Sequence, residues 1–274
     1  MKLKRLIKDF PDLQVKGSKE IEITGICSNS KLVAPGNLFI AKKGTIDDGS
    51  KYIPEALNAG AIAILSDIFD PSLNVTQLIH PEVTAIEGLL AAHYYQVPSK
   101  ELFMVGVTGT NGKTTSTFII RHLLEKLDGV CGLIGTVEYI IGRHRYQATR
   151  TTPDVISNHK MLREMVIQKC KSAVMEVTSH ALEQGRVQHI GFDVAIFTNL
   201  TLDHLDYHGT MEQYCLAKNK LFRGLDKNKI ALVNNDSLWT PKIIEGCKGK
   251  IVSYGIINPS DLQALDIQFT TKGT

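Results

Sequence analysis

Nowhere in this sequence does Cys-x-x-Cys occur. The five cysteines, Cys27, Cys131, Cys170, Cys215 and Cys247, are odd in number and widely spaced. A disulfide framework and a structural zinc site are therefore not expected, and a reducing cytoplasm is the natural setting. No apolar run reaches membrane-spanning length. The basic start, Met1-Lys-Leu-Lys-Arg-Leu-Ile-Lys-Asp-Phe10, is followed by no apolar core, so it does not read as a signal peptide. A strong charge of either sign is also missing. A net charge of +3 is too small to argue for nucleic-acid binding by field alone, though it suits an anionic small molecule. Internal repeats and low-complexity tracts are absent.

What remains describes a globular chain of 274 residues, long enough for two domains. A first block runs to residue 98. Strand-like runs at 20–24 and 37–41 are separated by Pro35-Gly36 and Asp47-Asp-Gly49. A helix-like stretch at 53–59 ends at Gly60, and a strand-like run at 61–65 follows. Residues 96–100 read as a linker. Beyond it, residues 102–107 form a nearly continuous apolar run, the mark of a buried parallel strand. Residues 114–127 carry Phe118, Ile119, Leu123, Leu124 and Leu127 at helical spacing. Further strands are expected at 130–134, 172–176, 194–199 and 230–234, with helices at 155–169 and 211–222. The fold class expected is α/β: a small N-terminal domain, 1–98, and a central domain, 99–274, with a mostly parallel, doubly wound sheet. Residues 269–274 read as an abrupt end.

The sharpest local signal is Val107-Thr-Gly-Thr-Asn-Gly-Lys-Thr-Thr115, between a strand and a helix. Gly109 and Gly112 let the backbone approach phosphate oxygens and turn N–H groups toward them. The following helix aims its positive end at the anion. Lys113 adds a charge near the β- and γ-phosphates, and the Thr114 hydroxyl can ligate Mg²⁺. The general phosphate-loop pattern asks for glycine five residues before Gly112, where Val107 stands.

Thr108-Gly-Thr-Asn-Gly-Lys-Thr-Thr115 resembles the loop of the Mur ligase family, in which that first glycine is absent. Arg150-Thr-Thr-Pro-Asp154, Met175-Glu-Val-Thr-Ser-His-Ala-Leu182, Gln184-Gly-Arg186 and Phe197-Thr-Asn-Leu-Thr-Leu-Asp-His-Leu-Asp-Tyr-His-Gly209 resemble the family's third-step members. Ser28-Asn-Ser-Lys31, Pro35-Gly-Asn-Leu-Phe-Ile-Ala41 and Asp48-Gly49 resemble their uridine-nucleotide domain. The match covers nearly the whole chain in order.

The resemblance implies an ATP-dependent ligase of peptidoglycan precursor synthesis, with two Mg²⁺ ions. It would join a free diamino acid, meso-diaminopimelate ahead of L-lysine, to UDP-MurNAc-L-Ala-D-Glu through an acyl phosphate. It further implies a cytoplasmic monomer without nucleic-acid or membrane partners. Gly109, Thr110, Asn111, Gly112, Lys113, Thr114 and Thr115 would bind ATP. Lys113, Glu176, His204 and a carbamylated Lys218 would be catalytic, and Thr114, Glu176, His204 and Lys218 would hold metal. By spacing alone His204 and His208 do not define a metal pair; the resemblance selects His204 and leaves His208 without a role. Lys220 stands near, but the Ala-Lys pair fits Lys218. Ser30, Thr151, Thr152, Thr178, Gln184 and Arg186 would contact substrate. Thr178 replaces a usual serine, Asn29 an aspartate and Lys31 an arginine. The family's C-terminal domain, with the motif that selects the amino acid, has no counterpart, so a truncated ligase is expected. The alternatives are a non-catalytic fragment binding nucleotide or UDP-precursor, and a folylpolyglutamate synthetase. The N-terminal block speaks against the latter.

Overall fold

A computed structural model describes residues 1–44 and 47–268, which form two compact units. The first contains Met1–Pro98, Asp154–Arg163 and Val187–His189. The second contains Ser99–Pro153, Glu164–Arg186 and Ile190–Thr274. Residues 269–274 lie outside the described residues. Among the described residues, no helix is long and apolar enough to cross a membrane.

The first unit holds helices α1 (Leu3–Leu6), α2 (Ile53–Asn58) and α3 (Val83–Tyr94). Its strands are β1 (Gln14–Lys16), β2 (Gly25–Cys27), β3 (Asn37–Ile40), β4 (Ala63–Ser66) and β5 (Thr76–Ile79). They form one sheet in the order β1-β5-β4-β3-β2, parallel except at β1. Both faces are covered, which explains the unbroken apolar character of β3 and β4. Leu38, Ile40 and Leu65 join the core beneath α1 and α3, while Phe39 and Ile64 pack with Ala56 of α2. The run at 20–24 is not a strand. Glu22 makes only a bridge to Lys2, and the alternation there reflects Ile23 entering the core with no exposed side chain surface.

The second unit alternates as expected for a doubly wound fold. Its elements are β6 (Phe103–Thr108), α4 (Lys113–Asp128), β7 (Cys131–Ile134), β8 (Glu138–Ile141), β9 (His144–Gln147) and the end of α5 (Val155–Ile167), a helix whose first part, to Arg163, belongs to the first unit. Next come β10 (Ser172–Glu176), α6 (Ser179–Glu183), β11 (Val194–Phe197), α7 (Leu205–His208) and α8 (Met211–Arg223). The unit ends with β12 (Ile230–Asn234), α9 (Thr240–Ile243), β13 (Lys250–Gly255) and β14 (Leu262–Gln263). Strand order is β14-β13-β12-β11-β6-β10-β7-β8-β9, parallel except for the β7-β8-β9 hairpins. β6 lies between β10 and β11, with Val107 opposite both Glu176 and Ile196. The chain turns to opposite sides of β6 there, and a crevice opens at the carboxyl ends of these strands.

Val105, Val107, Leu133, Val174 and Ile196 form the core of this unit, with Phe118 and Leu124 of α4 packed on it. The apolar set expected on α4 is wider than the face it buries. Ile119, Leu123 and Leu127 are 55%, 54% and 81% exposed, so these three face away from the core.

Candidate active site

The phosphate loop leaves β6 at Thr108 and enters α4 at Lys113. Val107 is fully buried within central strand β6, which explains why glycine is dispensable at that position: the turn starts later. At Gly109, φ is +150°, and a Cβ would fall 1.9 Å from Thr198 Oγ1. The loop is strapped to the segment after β11. Thr110 N–H donates to Asn199 O at 2.9 Å and Asn111 N–H to Asn199 Oδ1 at 3.0 Å. The Thr198 hydroxyl donates to Asn111 O at 2.6 Å. Lys113 folds back on its own loop, its Nζ donating to Gly109 O at 2.9 Å and Thr110 O at 2.8 Å. Burial pushes its pKa down.

Glu176, the last residue of β10, is fully buried, and its carboxylate is fixed from three sides. Oε1 accepts from Thr136 N–H at 2.8 Å. Oε2 accepts from the hydroxyls of Thr114 at 2.9 Å and Thr136 at 3.1 Å. Because the Thr114 hydrogen points at Glu176, its lone pairs are left for a cation. Gly135 makes this approach possible, since a Cβ there would stand 2.5 Å from Glu176 Oε1.

His204 has a left-handed φ of 52° and precedes α7. Its ring meets His180 edge-on at 4.9 Å and Tyr214 at 6.0 Å. Together with the phosphate loop, Thr136, Thr151, Glu176 and Thr178, it lines a cleft of about 410 Å³. Lys218 lies beneath the loop on α8, only 1% exposed. Its Nζ donates to Gly109 O at 3.0 Å and sits 4.5 Å from the centre of the Tyr214 ring. Burial, then the nearby charge of Lys113, holds its pKa well below the ordinary lysine value. Two lysine amines thus share one carbonyl. His208 is a buried packing group: Nε2 pairs with Ser179 Oγ at 2.9 Å, and the ring stacks on Tyr214 at 4.9 Å. Tyr214 in turn bonds Thr110 Oγ1 at 3.2 Å.

The residues expected to contact substrate divide. Thr151 reaches the cleft, its Oγ1 3.0 Å from that of Thr136. Tyr139 anchors the backbone just before it, accepting from Thr149 and Arg150 N–H and donating to Arg150 O. Thr152 is 1% exposed, and its hydroxyl donates to Glu176 O at 2.8 Å while accepting from Thr178 N–H at 3.2 Å. It acts as a tether between the Thr151 and Glu176 segments. Thr178 lines the cleft and caps α6 by accepting from Ala181 N–H at 3.2 Å. Arg186 donates to Thr152 O at 3.0 Å and to Gln184 Oε1. Ser30 lies in the first unit, where its hydroxyl donates to Glu55 at 2.7 Å. Asn29 there accepts from Lys31 N–H at 3.1 Å, so it supplies the same kind of cap that an aspartate would.

Thr136, Tyr214 and the Thr198-Asn199 strap were not singled out by sequence reasoning. Thr136 alone had a usable signal: it follows a glycine directly after an apolar strand, at the same sheet edge as Glu176. Among the described residues, no group of three or more His, Cys, Asp or Glu side chains converges to hold a metal.

Residues 107–274 match the sequence profile of the Mur ligase middle domain, and residues 22–93 that of the Mur ligase family, catalytic domain. A UDP-N-acetylmuramoyl-L-alanyl-D-glutamate--2,6-diaminopimelate ligase of Chlamydia muridarum is 39% identical, over 100% of this chain and 57% of the relative. The protein of the same name from Chlamydia pneumoniae is 42% identical, over 93% of this chain and 53% of its own length. A solved structure of a ligase with that name superposes with a TM-score of 0.83 at 27% identity, covering 100% of this chain and 56% of that one. The chain thus spans a little over half the length of the curated relatives it matches.

Proposed function

This chain belongs to the Mur ligase family, and from that membership and the cleft geometry we propose that it serves ATP-dependent amide formation on UDP-MurNAc-L-Ala-D-Glu in the cytoplasm. The amine would come from meso-diaminopimelate, as the relatives' names suggest. The observation that carries the reading is the convergence of Lys113, Thr114, Glu176 and Thr151 on one cleft.

In this reading the phosphate loop cradles ATP, and Lys113 exchanges the carbonyls of Gly109 and Thr110 for phosphate oxygens. A carboxylate oxygen of the peptide attacks the γ-phosphorus as the bond to ADP breaks. The amine then attacks the acyl carbon, inorganic phosphate leaves, and the amine proton passes to solvent. Negative charge crowds both steps, so neutralisation matters more than acid–base chemistry.

The donor set suits Mg²⁺. A hydroxyl with outward lone pairs and one carboxylate, completed by phosphates and water, is how this ion is commonly held. When bound, Mg²⁺ supplies neutralisation of the phosphates. Thr114 and Glu176 would hold one ion, with His204 and a carbamate on Lys218 supporting a second. Carbamate formation needs an uncharged amine. The buried Lys218, sharing its acceptor with Lys113, is suited to that.

Arg186 offers a test. Replacing it with Ala removes a charge-assisted contact worth about 1.5–3 kcal/mol, so the Kd for UDP-MurNAc-L-Ala-D-Glu should rise by roughly 10- to 150-fold. Calorimetric titration measures this directly. An unchanged Kd would remove Arg186 from the substrate site.

A further inference from the structure

Thr136 stands between the two halves of the cleft. Its backbone N–H holds one oxygen of Glu176, and its hydroxyl holds the other. Its Oγ1 also lies 3.0 Å from Thr151 Oγ1. A hydroxyl has a single hydrogen to donate, whereas a carboxylate oxygen accepts. The Thr136 hydrogen is therefore spent on Glu176, and the contact with Thr151 can form only if Thr151 donates. The direction of the chain is thus set: Thr151 to Thr136 to Glu176. With its own hydrogen committed, Thr151 turns only lone pairs toward the cleft.

We propose that Thr136 is a positioning residue that makes Thr151 an acceptor toward the cleft, so that an organic ligand must meet Thr151 with an N–H or O–H. The proposal rests on the substrate reading above for the identity of that ligand, but the polarity does not depend on it. A peptide amide N–H or a sugar hydroxyl satisfies the condition, and a bare carboxylate or phosphate oxygen does not. One side chain thus orients Thr151 and supplies one of the three hydrogen bonds that fix the Glu176 carboxylate. The glycine before Thr136 supports the arrangement, because a Cβ at Gly135 would push Glu176 out of its reach.

Two measurements on the 274-residue chain test this. Neutron diffraction from the deuterated protein without ligand should place deuterium on Thr151 Oγ1 toward Thr136, and on Thr136 Oγ1 toward Glu176. The reverse direction at either hydroxyl overturns the proposal. Calorimetry with UDP-MurNAc-L-Ala-D-Glu supplies the second. Thr151→Val should weaken binding by about tenfold, the loss of one hydrogen bond, and Thr136→Val by a substantial part of that. Thr136→Ser should retain wild-type affinity, and the double variant should bind about as well as Thr151→Val alone. Fully additive losses overturn the proposal, since independent structural defects add. If Thr136→Val fails to fold, Thr136→Ala takes its place in the cycle. A wild-type chain that binds no UDP-MurNAc-L-Ala-D-Glu, yet shows the predicted deuterium positions, removes the substrate reading while supporting the polarity.

Discussion

Replacing Lys218 with Met is expected to stabilise the chain at pH 7, because folding then no longer buries an amine that is charged in the unfolded chain. The amine is 1% exposed, and its acceptor, Gly109 O, keeps the Lys113 Nζ in the variant. The unbranched methionine can follow the path of the lysine stem. The pH dependence gives a second signature. The folded-state pKa of Lys218 lies well below its unfolded value because burial and then Lys113 disfavour the charge. Between those two values the unfolded chain binds more protons, so wild-type stability should rise with pH through that window. The Lys218→Met variant should lose the part of that rise due to Lys218, while the depressed Lys113 keeps its own smaller part. From about pH 8 upward an opposing trend sets in: burial pushes Cys131 and Cys215 up to about 11, and their unfolded thiols ionise first. The thiols are common to wild type and variant, so the difference between their slopes in urea unfolding between pH 7 and 8 reports the lysine. A Lys218→Met chain that is clearly less stable, or that keeps the wild-type slope, contradicts the account of Lys218 as a costly buried amine. The same variant should lose the carbamate signal that the wild-type protein is expected to give by ¹³C NMR with labelled bicarbonate. A change that stabilises the chain and removes the carbamate would mark Lys218 as a residue kept for function.

The second large effect is expected at Gly109→Ala. At φ +150° a side chain carries strain of about 1–3 kcal/mol. The added Cβ would also fall 1.9 Å from Thr198 Oγ1, the hydroxyl that secures Asn111 O. Displacing that strap opens the loop whose N–H groups would meet the phosphates. Affinity for Mg·ATP should therefore drop by roughly 100-fold, equivalent to about 2.7 kcal/mol. Gly129→Ala is the control. Gly129 has φ +98° at the end of α4, with nothing within 4 Å of its Cβ position. It should lose stability and keep its ATP affinity. Equal ATP binding by wild type and Gly109→Ala would mean that the loop is not the nucleotide cradle.

Much of the central sheet was legible because buried parallel strands carry nearly continuous apolar runs, as at 102–107 and in the apolar centre of 172–176. The run at 20–24 misled for a physical reason: alternation reports burial, and Ile23 is buried without sheet pairing. Helix α4 was correctly bounded, but Ile119, Leu123 and Leu127 turned outward, because helical spacing cannot say how much of a face a neighbour covers. In the cleft, Lys113, Glu176 and Thr151 could be named from motifs. Thr152 illustrates what a motif cannot convey: adjacent threonines point opposite ways, so one faces the cleft and the other ties Glu176 to Thr178. Thr136 and Tyr214 act through hydrogen bonds to residues 40 and 104 positions away; the glycine before Thr136 hints at its place, but no local pattern encodes either partner.

The measurement that bears most directly on the function proposed is a calorimetric titration of UDP-MurNAc-L-Ala-D-Glu into this chain, with and without a non-hydrolysable Mg·ATP analogue. The account predicts one-site binding of the UDP-linked peptide, weakened in Arg186→Ala, and separate binding of the ATP analogue that is lost in Gly109→Ala. Absence of binding by both ligands at millimolar concentration to a folded chain would contradict it.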